Sequence, residues 1–216
     1  MKKYYIGVFS VFLALFLVLF SYPVRADLPL QGKVIAIDSG HGGLDPGSLY
    51  KDIYEKDITL SIGKYLEKYL SEMGATVIMT RTSDDDLSNG VKNHRKKADF
   101  DERIKIINQK IMDMYVSIHL NYLTDTKYYG AQVFYNKDNE NLAKFIQNYL
   151  NENINTNREI KKIPTSTYMY DKLTTKGVLV ECGFLSNAME RGKLVTAEYQ
   201  SKFAKVLAEA ISHYYN

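Results

Sequence analysis

The chain has 216 residues, 45% hydrophobic and 25% charged, and its formal charge of +3 comes from 28 basic against 25 acidic side chains. That length fills one domain with a short extension and argues against two. The positive excess sits at Lys2, Lys3 and Arg25; without them, basic and acidic side chains balance at 25 each, so no electrostatic case exists for a nucleic-acid-binding surface.

Behind Lys2 and Lys3 runs an apolar stretch from Ile6 to Phe20, broken only by Gly7 and Ser10, and then SYPVRA with small residues at Ser21 and Ala26. This reads as an export signal over 1–26, with cleavage after Ala26 leaving a single domain over 27–216. The run is shorter than the about 20 apolar residues of a membrane span, so membrane contact is expected only if the segment stays uncleaved. Cys182 is the single cysteine, which leaves an exported chain without an internal disulfide.

From residue 33 strand-like and helix-like stretches alternate. KVIAID (33–38) is rich in β-branched residues; DITLSIGKYLEKYLSEMG (57–74) sets Ile58, Ile62, Tyr65, Tyr69 and Met73 on one helical stripe, with Asp57 as N-cap and Gly74 as stop. ATVIMTR (75–81) is a second strand. The polar stretch 83–98, with Asn89-Gly90 at its centre, reads as a solvated excursion ahead of a short helix carrying Ile104, Ile107 and Ile111. MYVSIHLN (114–121) and GAQVFYN (130–136) are strands. Helical spacing returns in 140–154, through Leu142, Phe145, Ile146, Tyr149 and Leu150, and in 197–215, through Tyr199, Phe203, Val206, Ala210 and Tyr214. Residues 155–176 carry no readable period. Strands separated by helices of this length predict a single α/β domain: a mainly parallel, twisted sheet with helices on both faces.

Four polar residues sit at or just past predicted strands, where open α/β sheets gather their binding groups. His41 lies in the glycine turn of VIAIDSGHGG, Glu55 just before the first helix, His119 in YVSIHLN and Glu181 in GVLVECGFLSN. Each alone has an ordinary reading: a structural histidine, a capping glutamate, a satisfied core histidine. Together they read as three zinc ligands, His41, Glu55 and His119, with Glu181 as a base. Alternation puts Tyr115, Ser117, His119 and Asn121 on one side of their strand, and Leu179, Glu181 and Gly183 opposite Val178, Val180 and Cys182. Cys182 therefore points away from Glu181 and reads as a buried hydrophobe rather than a nucleophile. His94 and His213 read as solvent-facing. The SGHGG glycines lack a Walker-type Lys-Ser/Thr, and the 18 tyrosines could line a glycan groove but are more often ordinary half-buried residues.

These marks resemble the zinc-dependent N-acetylmuramoyl-L-alanine amidases of the amidase-3 family. The resemblance covers nearly all of 32–215 and rests on D-x-G-H-G-G at 38–43, Glu55, T-R at 80–81, Arg103, S-I-H-L-N at 117–121 and E-x-G-F-L-S-N at 181–187. It implies zinc on His41, Glu55 and His119, a catalytic Glu181, and hydrolysis of the lactyl amide joining muramic acid to L-alanine in peptidoglycan. Arg81 and Arg103 match motif positions without an assigned role. TRTSDDDLSNG with HRKKADFDERIKIIN resembles the sporulation and germination (CwlD-like) branch, which acts on spore cortex in forming muramic-δ-lactam. Such an enzyme is expected outside the cytoplasm, in the cell wall or cortex region, with an activating protein partner of unknown identity. Ser39, Lys176 and Cys182 depart from the family's usual residues, and the last two flank Glu181. The competing expectations are a catalytically idle wall-binding scaffold on this fold and a zinc carboxypeptidase acting within the stem peptide.

Overall fold

The computed structural model describes residues 28–154 and 156–216, so the export segment expected over 1–26 lies outside the described residues. The strands are β1 (Val34–Ser39), β2 (Leu49–Tyr50), β3 (Ile53–Tyr54), β4 (Thr76–Met79), β5 (Met114–Asn121), β6 (Gln132–Tyr135), β7 (Lys161–Lys162) and β8 (Gly177–Phe184). The helices are α1 (Glu55–Glu72), α2 (Arg95–Ile107), α3 (Glu140–Asn153), α4 (Tyr168–Lys172), α5 (Ala188–Leu194) and α6 (Ala197–Tyr215). Among the described residues no helix is long and apolar enough to cross a membrane.

Six strands form one sheet in the order β4-β1-β5-β8-β6-β7. Neighbours from β4 to β8 are parallel and β6 runs antiparallel to β8, which gives the mainly parallel sheet expected. From β1 the chain crosses to β4 on one side and returns to β5 on the other. The ends of β1 and β5 therefore border the point where strand order reverses, the place such sheets offer a ligand.

The two faces are covered unequally. Val116, Ile118, Leu120, Val178, Val180 and Cys182 pack under α1, α3 and α6 in the larger core. Ala36, Tyr115 and Leu179 face the other way, into a smaller cluster with Ile107 of α2, Met169 and Tyr170 of α4, and Leu173. By the two-residue period of a strand, Asp38, Ser117, His119 and Glu181 share this second face. It is covered mainly by one 13-residue helix and one of five residues, which leaves room beside the strand ends.

Several boundaries differ from expectation. Helix α1 starts at Glu55; its N-cap is the extended Tyr54, without a side-chain cap, and Asp57 lies inside the first turn. The β2–β3 hairpin supplies this start, since Glu55 N–H donates to Ser48 O at 2.9 Å. Gly74 stops the helix as expected: at φ +96° it donates to Ser71 O while Ala75 N–H donates to Leu70 O, both at 3.0 Å. The buried stripe runs through Ile58, Ile62, Leu66 and Leu70, leaving Tyr65, Tyr69 and Met73 on its half-buried flank. Helix α2 begins within the supposed excursion, and its buried face is Asp99, Arg103 and Ile107; Ile111 falls outside it and is exposed. The apolar period marks the C-terminal end of this helix, at Ile104 and Ile107, but not the Asp99–Arg103 ion pair that it buries. Helices α3 and α6 bury Leu142, Ile146, Leu150, Phe203, Val206 and Ala210 as the spacing predicts, while Phe145 is exposed.

Candidate active site

The chain leaves β1 at Ser39 and turns through Gly40, whose N–H donates to Ile118 O of β5 at 2.9 Å. A Cβ on Gly40 would lie 2.4 Å from His119 Cε1, so only glycine lets the His119 imidazole lie against this turn. His41 follows at φ +63°, a conformation costing on the order of 1 kcal/mol for a residue with a side chain. Two buried arginines hold it there. Arg81 donates to Ser39 O (2.9 Å) and Gly40 O (3.0 Å), and Arg103 to Ser39 O (2.9 Å) and His41 O (2.6 Å). Arg103 is anchored in turn by Asp38 (2.7 Å) and by Asp99 (2.9 Å), one turn away on α2. Burial would raise Asp38, but the Arg103 charge and the Ser117 hydroxyl keep it below its ordinary value.

Glu55 is the first residue of α1, so its backbone is set by the hairpin and its side chain turns inward. Its Oε2 accepts from Ser48 N–H at 2.8 Å and its Oε1 from Leu120 N–H at 2.9 Å. Oε1 also lies 3.1 Å from His41 Nε2 and 3.1 Å from His119 Nδ1, between the two rings. The imidazoles meet edge to face, with centroids 4.9 Å apart. Three residues separated by 14 and 64 positions thus offer donor atoms within 4.8 Å of one another.

Burial opposes charge on Glu55, yet the His119 and His41 contacts hold it well below the usual carboxylate range. Burial likewise opposes charge on His41, but the carboxylates of Asp45, 3.1 Å from Nδ1, and Glu55 push it up to about 9. A setting that attracts a proton this strongly also attracts a metal ion. Two imidazoles and one carboxylate are the donor types of a catalytic divalent-metal site with a coordination position to spare, so the residues present fit such an ion.

Glu181 stands on β8 in register with His119 on β5. Its Oε2 is cut off from water and has no hydrogen-bond partner. Burial first, and then the nearby Glu55 charge, push its carboxyl up to about 8, against a smaller pull from His41. His119 and Glu181 therefore sit side by side on one face of the sheet, with His41 just past the end of β1 and Glu55 at the start of α1. Cys182 faces the opposite core, its thiol directed at Val180 O, and His94 and His213 are exposed, as expected. The sequence motifs include Asp38, Arg81 and Arg103 without a role and leave out Asp45 and Tyr170. The Asp99–Arg103 spacing, one helical turn apart, was the available signal for a buried pair. Tyr170 lies in the unreadable 155–176 stretch, where no signal existed.

The fold and the cluster define a single α/β domain with a His-Glu-His donor set of the kind that metal-dependent hydrolases use, at the switch point of its sheet. A profile of the N-acetylmuramoyl-L-alanine amidase family matches residues 35–213. The germination-specific N-acetylmuramoyl-L-alanine amidase of Bacillus subtilis (strain 168) is 43% identical over 195 residues, 87% of this chain and 82% of that protein. Among solved structures, the CwlD amidase of Clostridioides difficile, in complex with the GerS lipoprotein, matches with a TM-score of 0.78 and 38% identity over 84% of this chain and 98% of that one. The catalytic domain of the amidase CwlV from Bacillus (Paenibacillus) polymyxa matches with a TM-score of 0.72 and 26% identity, over 84% and 97%. The chain belongs to the N-acetylmuramoyl-L-alanine amidase family and is an enzyme of that class.

Proposed function

We propose that this amidase is zinc-dependent and cleaves the amide between the lactyl group of N-acetylmuramic acid and the L-alanine that opens the stem peptide. The observation that carries the reading is Glu55 Oε1 set between His41 Nε2 and His119 Nδ1, with the partnerless Glu181 carboxyl on the adjoining strand. His41, Glu55 and His119 hold the metal, which when bound supplies Lewis acidity at the amide carbonyl and an acidified water. Glu181 takes the proton of the attacking water and returns it to the departing alanine nitrogen, a role suited to a carboxyl beside the donor set whose Oε2 is tied to no permanent hydrogen-bond donor. Arg81 and Arg103 keep the His41 turn in place through backbone carbonyls.

The 43% identical relative is named for germination, which supports a germination role for this chain, and the CwlD-like motifs carry the further proposal of a spore-cortex substrate and a part in muramic-δ-lactam formation. The C. difficile relative seen with a lipoprotein supports a protein partner for this chain. Residues 1–26 act as the export signal, and the enzyme works outside the cytoplasm. The deciding experiment is mass spectrometry of muropeptides after digestion, with chelator and with zinc restored. Free stem peptides beginning with L-alanine, lost with chelator and recovered with zinc, are expected. Loss of terminal amino acids with the lactyl amide intact would make the protein a carboxypeptidase, and retention on peptidoglycan without cleavage would make it a binder.

A further inference from the structure

A polar chain runs beneath the site that the hydrolytic reading does not use. Ser117 Oγ donates to Asp38 Oδ2 at 2.7 Å, Tyr170 Oη lies 3.0 Å from Ser117 Oγ, and His119 Nε2 lies 3.5 Å from Tyr170 Oη. Asp38 is fixed at the far end by Thr80 (2.9 Å) and Arg103 (2.7 Å). Asp38, Ser117 and Tyr170 are all buried.

The direction of each bond follows from counting protons. The Ser117 hydroxyl has one hydrogen, and the Asp38 carboxylate takes it; Ser117 Oγ can therefore only accept from Tyr170. The Tyr170 phenol has one hydrogen of its own. That single hydrogen goes to the nearer acceptor, Ser117. Tyr170 Oη then presents lone pairs to His119 Nε2, which must carry a hydrogen to meet them. In neutral imidazole the other nitrogen, Nδ1, is then free to bind a cation, and it faces Glu55 Oε1 at 3.1 Å, where a hydrogen on Nδ1 would otherwise join the two.

We propose that Tyr170, through Ser117 and Asp38, is a positioning residue that sets the Nε2–H tautomer of His119 and so presents Nδ1 as the zinc donor. The inference rests on the zinc reading and deepens it. The chain acts on metal affinity and not on substrate, as hydrogen bonds to the free nitrogen of a metal-bound imidazole do.

The test is nitrogen-15 NMR of histidine-labelled protein with zinc added, together with zinc competition against a chromogenic chelator. In the zinc-loaded wild type the His119 ring should show its hydrogen on Nε2. Tyr170→Phe keeps the ring and removes the hydroxyl; it should weaken zinc on the order of tenfold or more. Ser117→Ala breaks the same chain one bond further away and should weaken zinc by less. If Tyr170→Phe does not fold, the wild-type tautomer and Ser117→Ala still decide. A hydrogen on Nδ1 in the loaded wild type, or zinc affinity within about twofold of wild type in Tyr170→Phe, overturns the inference while leaving the zinc reading intact. A wild type that binds no zinc at all overturns both.

Discussion

Asp38 and Glu181 are carboxylates on the same face of one sheet, at the ends of β1 and β8, and their surroundings are opposite. Asp38 accepts from Thr80, Arg103 and Ser117, and Arg103 carries the connection on to the backbone of His41. Glu181 Oε2 is buried with no partner. One acid is held ionised by its neighbours and the other is driven towards its neutral form. The difference separates two jobs: the β1 end is overdetermined because a histidine in a strained turn must stay in place, whereas a group that exchanges a proton cannot be tied to a permanent donor.

The largest effect that breaks this contrast is loss of the isolated acid. Glu181→Gln should lower stem-peptide release by about 10²–10⁴-fold with metal content near that of wild type, measured by muropeptide assay beside elemental analysis. Equal metal loss would mean that Glu181 supports the site instead of acting in it. On the clamped side, Arg103→Met strands Asp38 and Asp99 without their counter-ion, since Arg103 is 2% exposed. Denaturant unfolding should show about 3–5 kcal/mol of lost stability. A loss below about 1 kcal/mol, the range of surface pairs, would refute the clamp.

A smaller, local effect is expected from Gly40→Ala, whose new Cβ would meet the His119 ring at 2.4 Å. Displacing one donor should weaken metal binding on the order of tenfold while the unfolding midpoint moves less than in Arg103→Met. An unchanged affinity would show that the ring can move freely.

The contrast is sharpest in the pH dependence of metal-free protein. Asp38 lies below its ordinary 3.8, so its contribution is complete above that pH and is lost as pH falls through the lower folded value. Glu181 lies above its ordinary 4.5, at about 8, so the folded state holds the extra proton and stability declines as pH rises between those values. Glu181→Gln should remove the part of the decline that begins above 4.5 and leave the part that His41 adds between 6.5 and about 9, and Asp38→Asn should reduce the acid limb that Glu55 and Asp45 share, each measured from unfolding midpoints across pH. If the decline just above 4.5 persists in Glu181→Gln, another group causes it.

The chain order of strands and helices, the parallel sheet and the four residues at strand ends were legible in the sequence because each rests on short-range pattern: a period of two, a period of 3.6, a glycine turn after an apolar run. The same rule assigned Glu181 and Cys182 to opposite faces, and the two core clusters agree. It failed where polar residues are buried. The short helix expected through Ile104 and Ile107 is α2, but its first turn falls inside the supposed excursion and its buried Asp99–Arg103 pair carries no apolar signal, while a hairpin contact, not a capping Asp57, determines the start of α1.

Local pattern alone thus determined the fold class and named His41, Glu55, His119 and Glu181. Only the tertiary structure decided that Glu55 stands between two imidazoles, that two arginines hold the His41 turn, and that Tyr170 reaches His119 from an unpatterned stretch. Those are contacts between residues many positions apart, set by strand register and helix packing, and no periodicity within a short window encodes which distant side chains will share a hydrogen.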